Sequence, residues 1–203
     1  MIRVGVDLDN VLGDFITKAC LFYNTKTGKS LSVSDYTSEL YDVVWGISPE
    51  ETHDIMMEFY TKDNILGISP IEGAKTCLNI LHSTGNFEFY VITARNENFR
   101  RLTEIWLERH YPGIFSGLEL LSYFGPKGHK QEKYQTCQKL GCTVMIEDSW
   151  NHLFKCLQNG IETCILFNDN KRYKWLEGMT SISDRLKITS SWWQICNILL
   201  SIK

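Results

Sequence analysis

Residues 2–6, Ile-Arg-Val-Gly-Val, form a short β-branched run that stops at two carboxylates, Asp7 and Asp9. A run of this length and composition reads as a buried strand of a parallel sheet. Both acids then stand just past the strand's C-terminal end, where open α/β sheets bind their ligands. Two carboxylates at that spacing repel unless a cation, a proton or hydrogen-bond donors absorb their charge. Taken alone, an Asp-x-Asp after a strand also suits a calcium loop, a cap or a turn. The rest of the chain has to decide between these.

Four more apolar, β-rich segments follow at 87–92, 118–123, 142–146 and 162–167. Helical patterns lie between them. Ser69-Pro70-Ile71-Glu72 has the form of a capping box with proline at the first helical position, and predicts a helix through Leu81. Residues 97–110, 131–140 and 151–158 are amphipathic at helical spacing, and Ser190 to Ile202, with Trp192 and Trp193, predicts a C-terminal helix that docks on the core. This alternation implies an α/β fold, a Rossmann-like parallel sheet of about five strands with helices on both faces.

One interval breaks the alternation. From Asp14 to about Ile68 there is no convincing strand, and a second capping box, Ser48-Pro49-Glu50-Glu51, leads into His53 to Tyr60. A parallel crossover needs only a dozen or more residues, so roughly 50 are surplus to it. The expected organisation is a core of residues 1–14 and 69–203 with a small helical cap, residues 15–68, inserted after the first strand. Linkers are expected near Asp14–Ile16 and Gly67–Pro70. Because the insert springs from the acid-bearing loop, it is placed to act as a lid.

Composition narrows the partners. With a net charge of −3 over 203 residues, the chain has no basic footprint for a nucleic-acid polymer or an anionic membrane surface. No apolar run approaches the ~20 residues needed to cross a bilayer. The start of the chain runs straight into a strand and acids, unlike a signal peptide. Seven cysteines without a Cys-x-x-Cys pair imply free thiols in a reducing compartment. A cytoplasmic location is expected, and a homodimer is left open.

Three further groups bear on chemistry. The second strand runs out in Val91-Ile92-Thr93-Ala94-Arg95-Asn96, which brings a hydroxyl, backbone N–H groups and a guanidinium able to bind phosphate or carboxylate oxygens. The fourth ends in Ile146-Glu147-Asp148-Ser149, a second acidic pair at a strand end. Before it, a basic stretch from Lys127 through Lys130 to Lys133 leads into a helix. Singly these read as a strand-end cap, a helix cap and a solvated loop.

In this order the pieces resemble the haloacid dehalogenase-like superfamily, whose four motifs are Asp-x-Asp, Ser/Thr, Lys and an acidic cluster. Asp-Leu-Asp-Asn-Val-Leu-Gly-Asp-Phe, Val-Ile-Thr-Ala-Arg and Ile-Glu-Asp-Ser look most like the 5′(3′)-deoxyribonucleotidase branch, in which a small helical cap lies between motifs one and two. The resemblance spans roughly residues 2–170.

The resemblance implies roles. Asp7 matches the nucleophile, forming an aspartyl-phosphate, and Asp9 the general acid. An Asp at the second position points to phosphoryl transfer, since dehalogenases of the superfamily lack it and cation pumps carry Thr. Thr93, with Ala94 and Arg95 beside it, matches the phosphate-binding loop. Lys133 matches the motif-three lysine, with Lys130 its rival. Asp148 matches the direct metal ligand and Glu147 a supporting acid. The implied cofactor is Mg²⁺, held by Asp7, Asp148 and the backbone carbonyl of Asp9. Asn10 stands where the family usually has Gly, and Asn tolerates the left-handed turn.

The implied reaction is Mg²⁺-dependent hydrolysis of a phosphomonoester, with a nucleoside monophosphate as substrate. Family members stack the base among aromatic side chains of the cap, and Phe15, Phe22, Tyr36, Tyr41 and Trp45 are the candidates here, with Arg95 and Lys127 for phosphate or sugar. Two alternatives stand beside it: a sugar phosphate or other small phosphorylated metabolite as substrate, and a catalytically silent binding protein on the same scaffold.

Overall fold

The structure, a computed structural model, describes residues 1–122 and 131–202. Ile2–Val6 is β1, the centre of a six-stranded sheet with Phe87–Thr93 as β2, Phe115–Leu120 as β3, Val144–Glu147 as β4, Thr163–Phe167 as β5 and Leu186–Thr189 as β6. All pairings are parallel and the order is β3-β2-β1-β4-β5-β6. The chain therefore runs outward from β1 to β3, then crosses back to β4 on β1's other side. That reversal opens a crevice beyond the C-terminal ends of β1 and β4, where such sheets bind ligands.

Both faces of the sheet are covered, which is why the central strands are continuous apolar runs. Val4 and Val6, with Phe89, Val91, Ile146 and Phe167, pack against helices α5 (Ala74–Ser83), α6 (Arg100–His110) and α9 (Trp192–Ser201). Ile92, Met145, Cys164 and Leu166 point the other way, onto α7 (Lys133–Leu140) and α8 (Trp150–Gln158). The seven cysteines are all free and buried, as small apolar groups of these two cores. Trp192 anchors α9 by donating from Nε1 to the Val11 carbonyl at 2.9 Å, so the expected docking of the C-terminal helix is present. Among the described residues no helix is long and apolar enough to cross a membrane.

Between β1 and α5 the chain forms only helices: α1 (Phe15–Thr27), α2 (Tyr41–Trp45), α3 (Pro49–Phe59) and α4 (Lys62–Leu66). The Ser48 capping box is realised, with Ser48 Oγ accepting from the Glu51 N–H and the Glu51 carboxylate from that of Ser48. The two ends of this segment lie side by side. Asp14 N–H donates to the Ser69 carbonyl and Ile71 N–H to that of Leu12, both at 2.8 Å. A Cβ on Gly13 would come within 2.9 Å of Ile68 Cγ2 and 3.1 Å of Trp106 Cζ2, so only glycine fits this crossing.

Three sequence expectations need correction. Ser69 does not cap a helix: residues 69–71 are used up in pairing with 12–14, and α5 starts at Ala74 after left-handed Gly73. β3 begins at Phe115, three residues earlier than expected, because Phe115 pairs with Phe89 ahead of a register shift that leaves Ser116 of β3 unpaired in the β2 ladder. The sixth strand, Leu-Lys-Ile-Thr, was not anticipated. As a short edge strand, Leu186–Thr189 has exposed residues at its centre and lacks the signal of a doubly covered strand.

Candidate active site

Asp7 continues the β1–β4 pairing, its N–H donating to the Ile146 carbonyl at 2.9 Å. Glu147 is the last residue of β4 and Asp148 follows. Lys133 is the first residue of α7, where a cation opposes the helix dipole, so its position needs another cause. Two carboxylates supply it. Lys133 Nζ lies 2.6 Å from Asp7 Oδ1 and 2.5 Å from Glu147 Oε2, and none of the three side chains is more than 6% exposed. Lys130 and Lys127 lie outside the described residues.

Asp7, Glu147 and Asp148 each offer an oxygen, and these atoms all lie within 4.8 Å of one another. Three buried carboxylates against one ammonium leave the cluster short of positive charge. Burial pushes the Asp7 carboxyl up to about 7, with Glu147 adding to the effect and Lys133 opposing it. Burial, then Glu147 and Asp7, hold Asp148 well above the ordinary carboxylate range. Burial disfavours the Lys133 charge, yet Asp7 and Glu147 outweigh it and raise its pKa. The donors are all hard oxygens, and a divalent cation is the partner that such a set fits. This buried acidic cluster could hold one.

Asp9 is paired elsewhere. Arg95 donates from Nε to Asp9 Oδ2 at 2.9 Å and from Nη2 to Asp9 Oδ1 at 2.5 Å. The Asp9 carboxylate is therefore not part of the metal-sized cluster. Asn10 takes the left-handed conformation expected of it, with φ 63°. Its Nδ2 donates to Asp148 Oδ2 at 3.1 Å and its Oδ1 accepts from the Ile16 N–H at 2.9 Å, so it ties the second acidic loop to the start of α1. Thr93 is buried at the end of β2, and its Oγ1 accepts from the Arg95 N–H at 3.3 Å. Ala94 beside it is half-buried.

The aromatic candidates divide. Trp45 is buried in the core of the helical segment, stacked on Tyr23 at 4.1 Å and on Tyr41 at 5.2 Å, and its Nε1 donates to the Tyr36 hydroxyl at 2.9 Å. Phe15 is buried against Phe59, Tyr60 and Tyr41. Tyr41 and Tyr60 border the acids. Burial raises both phenols, and negative charge at Asp9 raises them further, with Asp148 acting on Tyr41 and Asp7 on Tyr60. Tyr60 stacks on Phe99 at 4.4 Å, with ring planes 13° apart. Sequence reasoning missed Tyr60 and Phe99, which come from two different crossovers, one before β2 and one after it, and carry no local motif.

The model of the family described as 5′ nucleotidase, deoxy (Pyrimidine), cytosolic type C matches residues 1–184. The chain belongs to this family. It is thus a HAD-like hydrolase of phosphoric monoesters, and the structure sets Asp7, Thr93, Lys133 and Asp148 at the ends of β1, β2, α7 and β4. Solved structures similar to this nucleotidase-family chain include the haloacid dehalogenase-like hydrolase SP0104 from Streptococcus pneumoniae, with 14% identity, 98% of each chain covered and a TM-score of 0.68. A predicted phosphoglycolate phosphatase from Haemophilus somnus has 18% identity, 97% of each chain covered and a TM-score of 0.67. The L-2-haloacid dehalogenase of Xanthobacter autotrophicus has 10% identity, 100% of each chain covered and a TM-score of 0.64. At these identities the likeness is one of fold. No curated protein sequence matches the chain.

Proposed function

We propose that the chain is a Mg²⁺-dependent 5′(3′)-deoxyribonucleotidase that hydrolyses a nucleoside monophosphate through an aspartyl-phosphate on Asp7. The observation that carries this reading is the Lys133 bridge between Asp7 and Glu147 beside Asp148. A carboxylate is a weak nucleophile, and attack on a phosphate dianion needs alignment and nearby positive charge more than extra basicity. Lys133, held by two ion pairs, provides both.

In the first half-reaction an Asp7 oxygen forms its bond to phosphorus as the bond to the nucleoside oxygen breaks, and Asp9 gives that alkoxide a proton. In the second, water attacks phosphorus, Asp9 takes its proton back from the water, and the Asp7–phosphorus bond breaks to release phosphate. Thr93 Oγ1 and the Ala94 N–H bind the phosphate oxygens. Asp7, Asp148 and the Asp9 carbonyl would hold the Mg²⁺ ion, which would supply positive charge to offset that of the phosphoryl group.

Residues 15–68 act as the cap over a core of 1–14 and 69–203. Phe15, Tyr41, Tyr60 and Phe99 form the wall for the base, with Trp45 backing Tyr41. The seven free thiols fit the cytosol named in the family's description. The test is hydrolysis of a panel of deoxynucleoside monophosphates and sugar phosphates with and without Mg²⁺. Turnover of the nucleotides, lost on chelation and inhibited by beryllium or aluminium fluoride, is expected. Turnover of sugar phosphates alone would overturn the nucleotide substrate, and indifference to both fluorides would overturn the aspartyl-phosphate.

A further inference from the structure

Arg95 is the one buried arginine among the described residues. Burying a guanidinium is unfavourable unless its donors are matched, and three of its nitrogens are. Nε and Nη2 fork onto the two oxygens of Asp9, while Nη1 donates to Thr103 Oγ1 at 3.3 Å. Thr103 is fully buried on α6, and its own hydroxyl donates to the Phe99 carbonyl at 2.9 Å. The Phe15 ring lies against the guanidinium, 5.9 Å from Cζ to centroid. The Arg95 side chain is 2% exposed and that of Asp9 21%. The fork thus lies behind Asp9, and the accessible side of the carboxylate is the one it leaves free.

Among the described residues, two cations of the site share three of its four acids. Lys133 takes Asp7 and Glu147, and Arg95 takes Asp9. A planar fork matches a carboxylate in a way an ammonium cannot. It uses two of the carboxylate's roughly four lone-pair sites and leaves the others to carry a proton.

We propose that Arg95 is the positioning residue for Asp9, a rigid fork fixed by Thr103 and Phe15 that aims the carboxyl at the leaving oxygen, and that it does not bind the substrate phosphate. This rests on the nucleotidase reading and deepens it. Arg95 itself exchanges no proton. It sets where the Asp9 proton is when the alkoxide departs, and misplacement by ~1 Å is enough to cost about 10²-fold in rate.

The test compares kcat/KM for a deoxynucleoside monophosphate and for p-nitrophenyl phosphate in the wild type, Arg95→Lys and Thr103→Val. This ratio reports only the steps through departure of the leaving group. Nitrophenolate departs without a proton, whereas an alkoxide does not. Arg95→Lys is expected to lose about 10²-fold on the nucleotide and little on the aryl ester. Thr103→Val, which keeps the guanidinium, shows the same selectivity at smaller size and decides the matter if Arg95→Lys fails to fold. Equal losses on both esters, the result of phosphate binding or of a merely structural role, overturn the proposal, as does no loss on either. A wild-type protein inactive on both esters instead overturns the nucleotidase reading, and this inference with it.

Discussion

Glu39, from the stretch joining α1 to α2, accepts a 2.6 Å hydrogen bond from Ser149 Oγ and a 3.0 Å one from the Trp150 N–H. Ser149 directly follows Asp148 and caps α8, its Oγ accepting from the His152 N–H. The helical segment is therefore fastened to the loop that carries one acid of the cluster, by a carboxylate at a helix N-terminus where the dipole favours it.

Removing that carboxylate strips two donors of their partner. Glu39→Ala is expected to destabilise the protein by about 1–3 kcal/mol, measured by urea unfolding. Glu39→Gln should cost less, since an amide oxygen can still accept.

Asp7→Asn is expected to lower turnover on the order of 10⁴-fold or more while the protein stays folded. Because the site has too little positive charge for its three acids, the same substitution should raise the melting temperature of the metal-free protein. Activity assays and thermal melts in EDTA check the two halves separately.

The charge excess also sets a pH dependence. Asp7 titrates at about 7 in the folded protein against 3.8 ordinarily, so between these values the folded state holds more protons than the unfolded one. Its contribution to stability is fully present below about 3.8 and is lost as pH rises through about 7. Melting temperature in EDTA should fall from about pH 5 to about pH 8, and added Mg²⁺ should restore more of it at the higher pH. A flat profile that Asp7→Asn leaves unchanged would contradict this.

Trp45 and Tyr60 are expected to fail differently. Trp45→Ala empties a packed position between Tyr23 and Tyr41 and should cost about 3–5 kcal/mol of stability. Tyr60→Ala, on the half-buried side of the aromatic cluster, should leave stability closer to wild type and raise KM for a nucleotide by the equivalent of ~1–3 kcal/mol of base stacking. Denaturation curves and steady-state kinetics on both variants separate the roles.

Much of this was legible because the central strands carry their own signal. Val4, Val6, Ile146 and Ile165 are buried from both sides, so their runs stand out, whereas Leu186–Thr189 is covered on one edge only and did not. The Ser48 box could be read correctly because nothing else competes for its backbone. The Ser69 box was misread because Gly13 and Pro70 meet across the fold, and no local pattern announces a partner more than fifty residues away.

The amino-acid order alone determined that acids, a hydroxyl and a lysine fall at the ends of apolar strands and helices, because a side-chain type and a local period are written in consecutive residues. Which cation serves which acid was decided only when the strands paired. The register that sets Val6 beside Val91 carries Asp9 and Arg95 to the same edge, and the β1–β4 pairing gathers Asp7, Glu147 and Asp148 around the one ammonium of Lys133. Ion pairs depend on distances between segments far apart in the chain, and those distances exist only in the folded sheet.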